Sequence, residues 1–236
     1  MSRQERASRT RQLIIQAAAQ AFDLEGFALT GLSEIAQLCG VSKGALYFHF
    51  GSKEQLADAV MTESRETLRD IVRQARSRRG AGLQYLIDLC HGLARQLDQD
   101  VVFRAGLRLT EEPGLADGSC PSPYPAWERL VGRQLARAVR DEDLHPDVLL
   151  AEVTALLAAT AAGIESLSRR DKGWLSPHVT TGLWNAVLPA LTPVDRLGKI
   201  RTAPEGAAAA LPEQGGPHHW GVVPEAAALV ARAQGA

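Results

Sequence analysis

The stretch VSKGALYFHFGSKEQLA, residues 41–57, decides the fold because it holds two helix starts in close succession. Ser42 stands where an N-cap belongs, and Val41 and Leu46 occupy the flanking positions of a hydrophobic staple. Ser52 followed by Gln55 reads as a capping box opening a long helix from about 53 to 77, with Leu56, Val60, Leu68, Ile71 and Val72 as its apolar positions. In the short helix between the caps, Leu46 and Phe50 are four apart and share one face. With that face inward, Lys43, Gly44, Ala45, Tyr47 and His49 turn outward. Rings at all of positions 47–50 cannot be buried together by a helix of about two turns, so part of the set is aimed at something outside the protein.

Working upstream, Ile14, Ala17, Ala18, Ala21 and Phe22 follow helical spacing over residues 11–26, and Gly26 stands at the stop. Thr30 is the expected N-cap of a second helix whose Leu32, Ile35, Ala36 and Cys39 share a face before Gly40 ends it. Two helices joined by a glycine turn, the second short and capped, make a helix-turn-helix. Lys43 is then placed to donate to guanine in a major groove, with Gly44 and Ala45 permitting close approach. Tyr47, His49 and Lys53 are candidate phosphate donors, and the hydroxyls of Thr30, Ser33 and Ser42 stand near the flanking backbone. Over residues 1–53 six Lys and Arg face four Asp and Glu, a net of +2, and Arg3, Arg6, Arg9 and Arg11 are expected to form a basic arm.

Downstream, Leu86, Leu89, Cys90, Leu93 and Leu97 form another helical stripe. EPGLADGSCPSPYP, residues 112–125, is too rich in breakers for regular structure, and Trp127 is expected to start the next helix. Residues 147–168 are apolar or small on nearly every face, which predicts a helix covered on all sides. With the apolar helix expected at 177–191 it forms a candidate dimer interface. Residues 207–236 are rich in Ala, Gly and Pro and read as a mobile tail. No period-two alternation marks a sheet, so the fold class is all-α. The expected division is a three-helix DNA-binding domain at 1–53, a helical ligand-binding and dimerisation domain at 54–206 with 54–77 as connecting helix, and the tail.

At 236 residues, 45% apolar and net charge -1, the chain has no overall basic excess, so a case for nucleic acid rests on local placement. Three cysteines, Cys39, Cys90 and Cys120, stand far apart and indicate neither a disulfide framework nor a zinc site. A polar N-terminus with no apolar leader argues for the cytoplasm and against a membrane partner. His91, His145 and His178 lie in separate segments with no catalytic motif around them, and His218-His219 is a tail pair, so no enzyme, cofactor or metal is expected.

VSKGALYFHFGSKEQLA, with GLSEIAQLCG and AFDLEGF before it, resembles the DNA-binding domain of the TetR family of transcriptional repressors. RLTEE at 108–112, PYPAWERLV at 123–131 and WNAVLPALTPVDRL at 184–197 are similar to its γ-butyrolactone receptor branch, the autoregulator receptors of antibiotic-producing actinomycetes. The resemblance implies a homodimer on a partly palindromic, double-stranded operator, released when a small γ-butyrolactone-like autoregulator enters the C-terminal domain. It places Trp127 over the ligand, with Tyr85, Leu89, Leu109 and Thr160 as further pocket candidates. Alanine at 162 and Glu165 depart from the threonine and glutamine of those receptors, and Glu111-Glu112 is unusual beside an apolar site. The alternative is a pseudo-receptor whose ligand is an antibiotic or another non-butyrolactone molecule.

Overall fold

The computed structural model describes residues 3–77, 82–113, 115 and 121–204; the expected tail, Cys120, His218 and His219 lie outside them. Among the described residues there is helix and no strand. In order, the chain forms α1 (Arg3–Glu25), α2 (Leu32–Leu38), α3 (Lys43–His49), α4 (Lys53–Ser77), α5 (Leu83–Gln99), α6 (Val101–Leu109), α7 (Tyr124–Arg140), α8 (Leu150–Ser168), a 3₁₀ turn at Lys172–Leu175, α9 (Pro177–Leu191) and the short α10 (Val194–Leu197).

Two apolar cores divide the molecule, and α4 and α6 serve both. In the head, Ile14, Ala18 and Phe22 of α1, Ile35 of α2, Leu46 and Phe50 close on Leu56, Val60 and Met61 of α4 and on Val102, Ala105 and Leu109 of α6. In the body, Ile71 of α4 and Phe103 of α6 join Leu86 and Leu89 of α5, Val131 and Leu135 of α7, and Trp184 and Leu188 of α9. The crossing of α4 and α6 is tight. Gly106 passes so close to α4 that a Cβ there would fall 2.2 Å from the Ser64 Cβ, while the Ser64 hydroxyl donates to the Phe103 carbonyl at 3.0 Å.

The caps behave largely as the sequence predicts. Ser42 accepts the Ala45 amide at 3.1 Å, and Ser52 accepts the Gln55 amide at 3.2 Å. Gln55 reaches back to the Gly51 amide at 2.9 Å rather than to that of Ser52, which closes the box one residue earlier.

Three expectations are corrected. The N-cap of α2 is Gly31 with no side-chain bond, because the Thr30 hydroxyl is turned inward to the Gly26 carbonyl at 2.8 Å. The basic arm is not loose: Arg6, Arg9 and Arg11 lie within α1, and Arg11 is held by Glu63 at 3.8 Å and over the Phe50 ring at 5.2 Å. Helix α7 starts at Tyr124, three residues before Trp127, since a proline in the first turn forfeits no hydrogen bond the helix would make. Within one chain α8 is covered on part of its surface: Val153, Ala158, Glu165 and Ser168 are buried, whereas Leu156 is 49% exposed and Leu167 and, on α9, Leu183 also face outward. Length and composition alone would let α8 cross a membrane; in the fold it packs against α7.

Candidate nucleic-acid interface and ligand cavity

In the head, α3 is held by its buried anchors Leu46 and Phe50 and its Ser42 cap. That orientation leaves Ser42, Lys43 and Gly44 exposed at its start, Tyr47 55% exposed and Phe48 81% exposed, with Ala45 and His49 half-buried. Ser33 of α2 is exposed as well. Phe48, absent from the sequence-derived set, is the most exposed ring of α3 and packs edge-on against His49 at 5.3 Å. The signal was its place between Tyr47 and His49, since α3 turns its other side to the core. An exposed capped helix with a cation at its first turn and aromatic and polar groups along it can enter a major groove and meet bases and phosphates together.

Two residues assigned to this face point elsewhere. Thr30 is 2% exposed, with its hydroxyl spent on Gly26. Lys53 gives its ammonium to the carbonyls of Phe27 at 2.8 Å, Thr30 at 3.1 Å and Ala28 at 3.4 Å, and lies 4.3 Å from the Phe27 ring centre. An ammonium has three donors, and these carbonyls take them all, so Lys53 locks the turn between α1 and α2 instead of reaching for phosphate.

In the body, a cavity of about 250 Å³ opens between α4 to α9. Its wall is overwhelmingly apolar: Leu68 and Val72 of α4, Phe103 and Leu107 of α6, and Leu93 of α5. Of the pocket candidates, Trp127 and Thr160 are among its lining residues. Tyr85, Leu89 and Leu109 do not: Tyr85 and Leu89 are filled into the body core and Leu109 into the head core. Helical phase told that these side chains point inward, and inward here is solid packing.

Polar groups on the wall are few and specific. The Trp127 indole N–H and the Thr180 hydroxyl are sealed from water and lack a hydrogen-bond partner, a costly state for a buried polar group. Burial raises the Cys90 thiol to about 12, with the Trp184 indole hydrogen-bonded to it working the other way, so at neutral pH it is an uncharged wall atom and not a nucleophile. Glu165 is 8% exposed and held by Arg169 through contacts of 2.8 and 3.0 Å to Oε1 and 2.9 Å to Oε2. The Tyr124 hydroxyl is pushed up to about 12, first by burial and then by the negative charges of Glu165 and Glu111.

Helix α6 joins the two sites. Phe103 and Leu107 line the cavity, and Arg104 and Arg108 on its other side reach the head. Arg104 Nε pairs with the Asp23 carboxylate at 3.1 Å, and Arg108 donates to the Asp23 carbonyl. Glu112 accepts the Phe27 amide at 3.3 Å and pairs with Arg108 at 3.8 Å. Of the acids that looked out of place beside an apolar site, Glu112 therefore faces the head.

Residues 14–60 match the family described as bacterial regulatory proteins, tetR family, and residues 80–193 match the tetracyclin repressor-like C-terminal domain. The A-factor receptor protein of Streptomyces griseus is 31% identical over 207 residues, 87% of this chain and 71% of that protein. The chain belongs to the tetR family. Within the family, a crystal structure of a γ-butyrolactone receptor, an ArpA-like protein, superposes with a TM-score of 0.71 at 35% identity, covering 82% of this chain and 94% of that one. CprB from Streptomyces coelicolor, in complex with its biological operator sequence, gives a TM-score of 0.71 at 36% identity with the same coverage. The tetR match spans the whole of α2 and α3 and the second half of α1, and the C-terminal match takes in most of the cavity wall.

Proposed function

We propose that this chain is a transcriptional repressor that binds operator DNA as a homodimer and lets go when a small γ-butyrolactone-like signal fills the cavity, controlling antibiotic production in the cytoplasm of its host. The observation that carries the reading is the pairing of an outward, capped α3 with an apolar cavity whose buried donors lack partners, the two joined by α6. Two relatives support it, one a receptor for a γ-butyrolactone and one held on its operator.

The outward leucines of α8 and α9 suit a second copy: Leu156, Leu167 and Leu183 form an apolar face that water would otherwise meet. A two-fold pair sets two α3 helices against half-sites about one helical turn apart, roughly 34 Å. Regulation then needs only a change in that distance. A ligand pressing on Phe103 and Leu107 moves α6, and with it Arg104, Arg108 and Glu112, which grip the end of α1 and the turn after it. Ser64 and Gly106 couple the same motion to α4. To act as a switch the ligand must prefer the DNA-free arrangement, because equal affinity for both shifts nothing.

Gel-shift with the promoter upstream of the chain's own gene tests the first half: binding is expected at low salt and weakens steeply as salt rises. Titration calorimetry with a γ-butyrolactone tests the second. Weaker ligand binding in the presence of operator is expected, and equal affinity with and without operator would refute the release mechanism.

A further inference from the structure

The apolar cavity has one acidic side chain on its wall, and its partners define what it can still accept. Glu165 Oε1 takes two donors from Arg169, Nε at 3.0 Å and Nη2 at 2.8 Å. Oε2 takes Nη2 alone, at 2.9 Å, so it is the oxygen with acceptor capacity left. Tyr124 and Trp127 are three apart on α7 and share a helix face, so both rings line the same part of the wall.

We propose that Glu165 is a specificity-determining residue: the ligand is an uncharged molecule that gives a hydroxyl hydrogen to Glu165 Oε2, and its ring-opened carboxylate form is refused. The inference rests on the lactone reading above and narrows it. Charge decides between the forms. Arg169 already balances Glu165, so a ligand ammonium would compete with a guanidinium seated in place. A ligand carboxylate would bring a second negative charge beside Glu165 in a wall with almost no other polar surface, where neither charge is solvated. In the same wall the Tyr124 hydroxyl is raised first by burial and then by the charges of Glu165 and Glu111. A ketone in place of the hydroxyl would leave Oε2 facing another acceptor, and a site built to take a hydroxyl hydrogen discriminates strongly against the analogue that lacks it.

The test is titration calorimetry on the full-length protein with three probes: a γ-butyrolactone carrying a secondary hydroxyl on its alkyl arm, the same lactone oxidised there to the ketone, and the ring-opened hydroxy acid. The wild type is expected to prefer the alcohol over the ketone by about 10- to 100-fold and to give no heat with the acid. Glu165→Gln is expected to shrink the alcohol's advantage to a few-fold and to gain binding of the acid, because Arg169 is then left without its carboxylate. Glu165→Leu is expected to bind alcohol and ketone alike. Equal wild-type affinity for alcohol and ketone, or wild-type binding of the acid, overturns the inference and leaves the lactone reading standing. If none of the three probes binds the wild type, both fall together. The wild-type comparison needs no variant, so a misfolded Glu165 substitution does not blunt it.

Discussion

The turn between α1 and α2 in the head and the cavity in the body treat buried polar groups in opposite ways. Around the turn each polar group is answered: Thr30 by Gly26, Lys53 by three carbonyls, the Phe27 amide by Glu112. Around the cavity the Trp127 indole and the Thr180 hydroxyl are left waiting. A satisfied network has one arrangement, which suits a surface that must keep its shape against a duplex. An unsatisfied one gains from any rearrangement that brings a partner within reach, which suits a region whose packing must change.

The largest effect should come from the crossing that ties the two regions together. Gly106→Ala drives a methyl into the Ser64 Cβ, and a loss of about 3 kcal/mol in unfolding free energy is expected in urea denaturation, regained in part by Ser64→Gly. Lys53→Met strips three carbonyls of a charged donor and should cost about 2 kcal/mol of stability. The salt dependence of operator binding should not change with it, whereas a lost phosphate contact would lower that slope by about one. Lys43→Ala should do the reverse: stability unchanged, operator affinity down by about 2 kcal/mol, and one base pair per half-site relaxed in a binding-site selection.

Smaller, and the sharpest probe of the contrast, are two matched deletions of a hydroxyl. Thr30→Val leaves the Gly26 carbonyl without its donor and should destabilise the ligand-free protein by about 1 kcal/mol. Thr180→Val removes a hydroxyl with no partner and should be neutral or slightly stabilising. The same sign for both would erase the distinction.

Last is a pH effect at His91, whose Nε2 lies 2.7 Å from the Thr202 carbonyl. Burial lowers its pKa, with the Thr202 contact and Asp88 opposing. The unfolded chain therefore binds the proton more readily than the folded one. Stability is expected to be highest above the unfolded histidine value near ~6.5 and to fall as pH drops below it. Thermal melts of His91→Gln between neutral and mildly acidic pH should lose that slope.

Much of the head was legible because its signals are local. Ser42, Ser52 and the Leu46–Phe50 pair fix α3 and the start of α4 within a few residues of chain. Helix α6 was not seen, since no glycine or proline separates it from α5; the break is made by the Asp100 carboxylate accepting the Val102 and Phe103 amides at 2.9 and 3.1 Å. Lys53 was misread because its carbonyl partners lie more than twenty residues away in the chain, and a cation beside a recognition helix resembles a phosphate contact until those partners are in view. The pocket was half legible for a related reason. Periodicity separates inward from outward side chains, but it does not separate a wall, as at Trp127 and Thr160, from a filled core, as at Tyr85, Leu89 and Leu109.

Because α6 lines the cavity with Phe103 and Leu107 and holds the head with Arg104 and Arg108, the two tasks fall to different side chains of a nine-residue rod. Retuning the chamber toward a new chemical thus leaves the linkage intact, so a biosensor could inherit this protein's output while its input is redesigned.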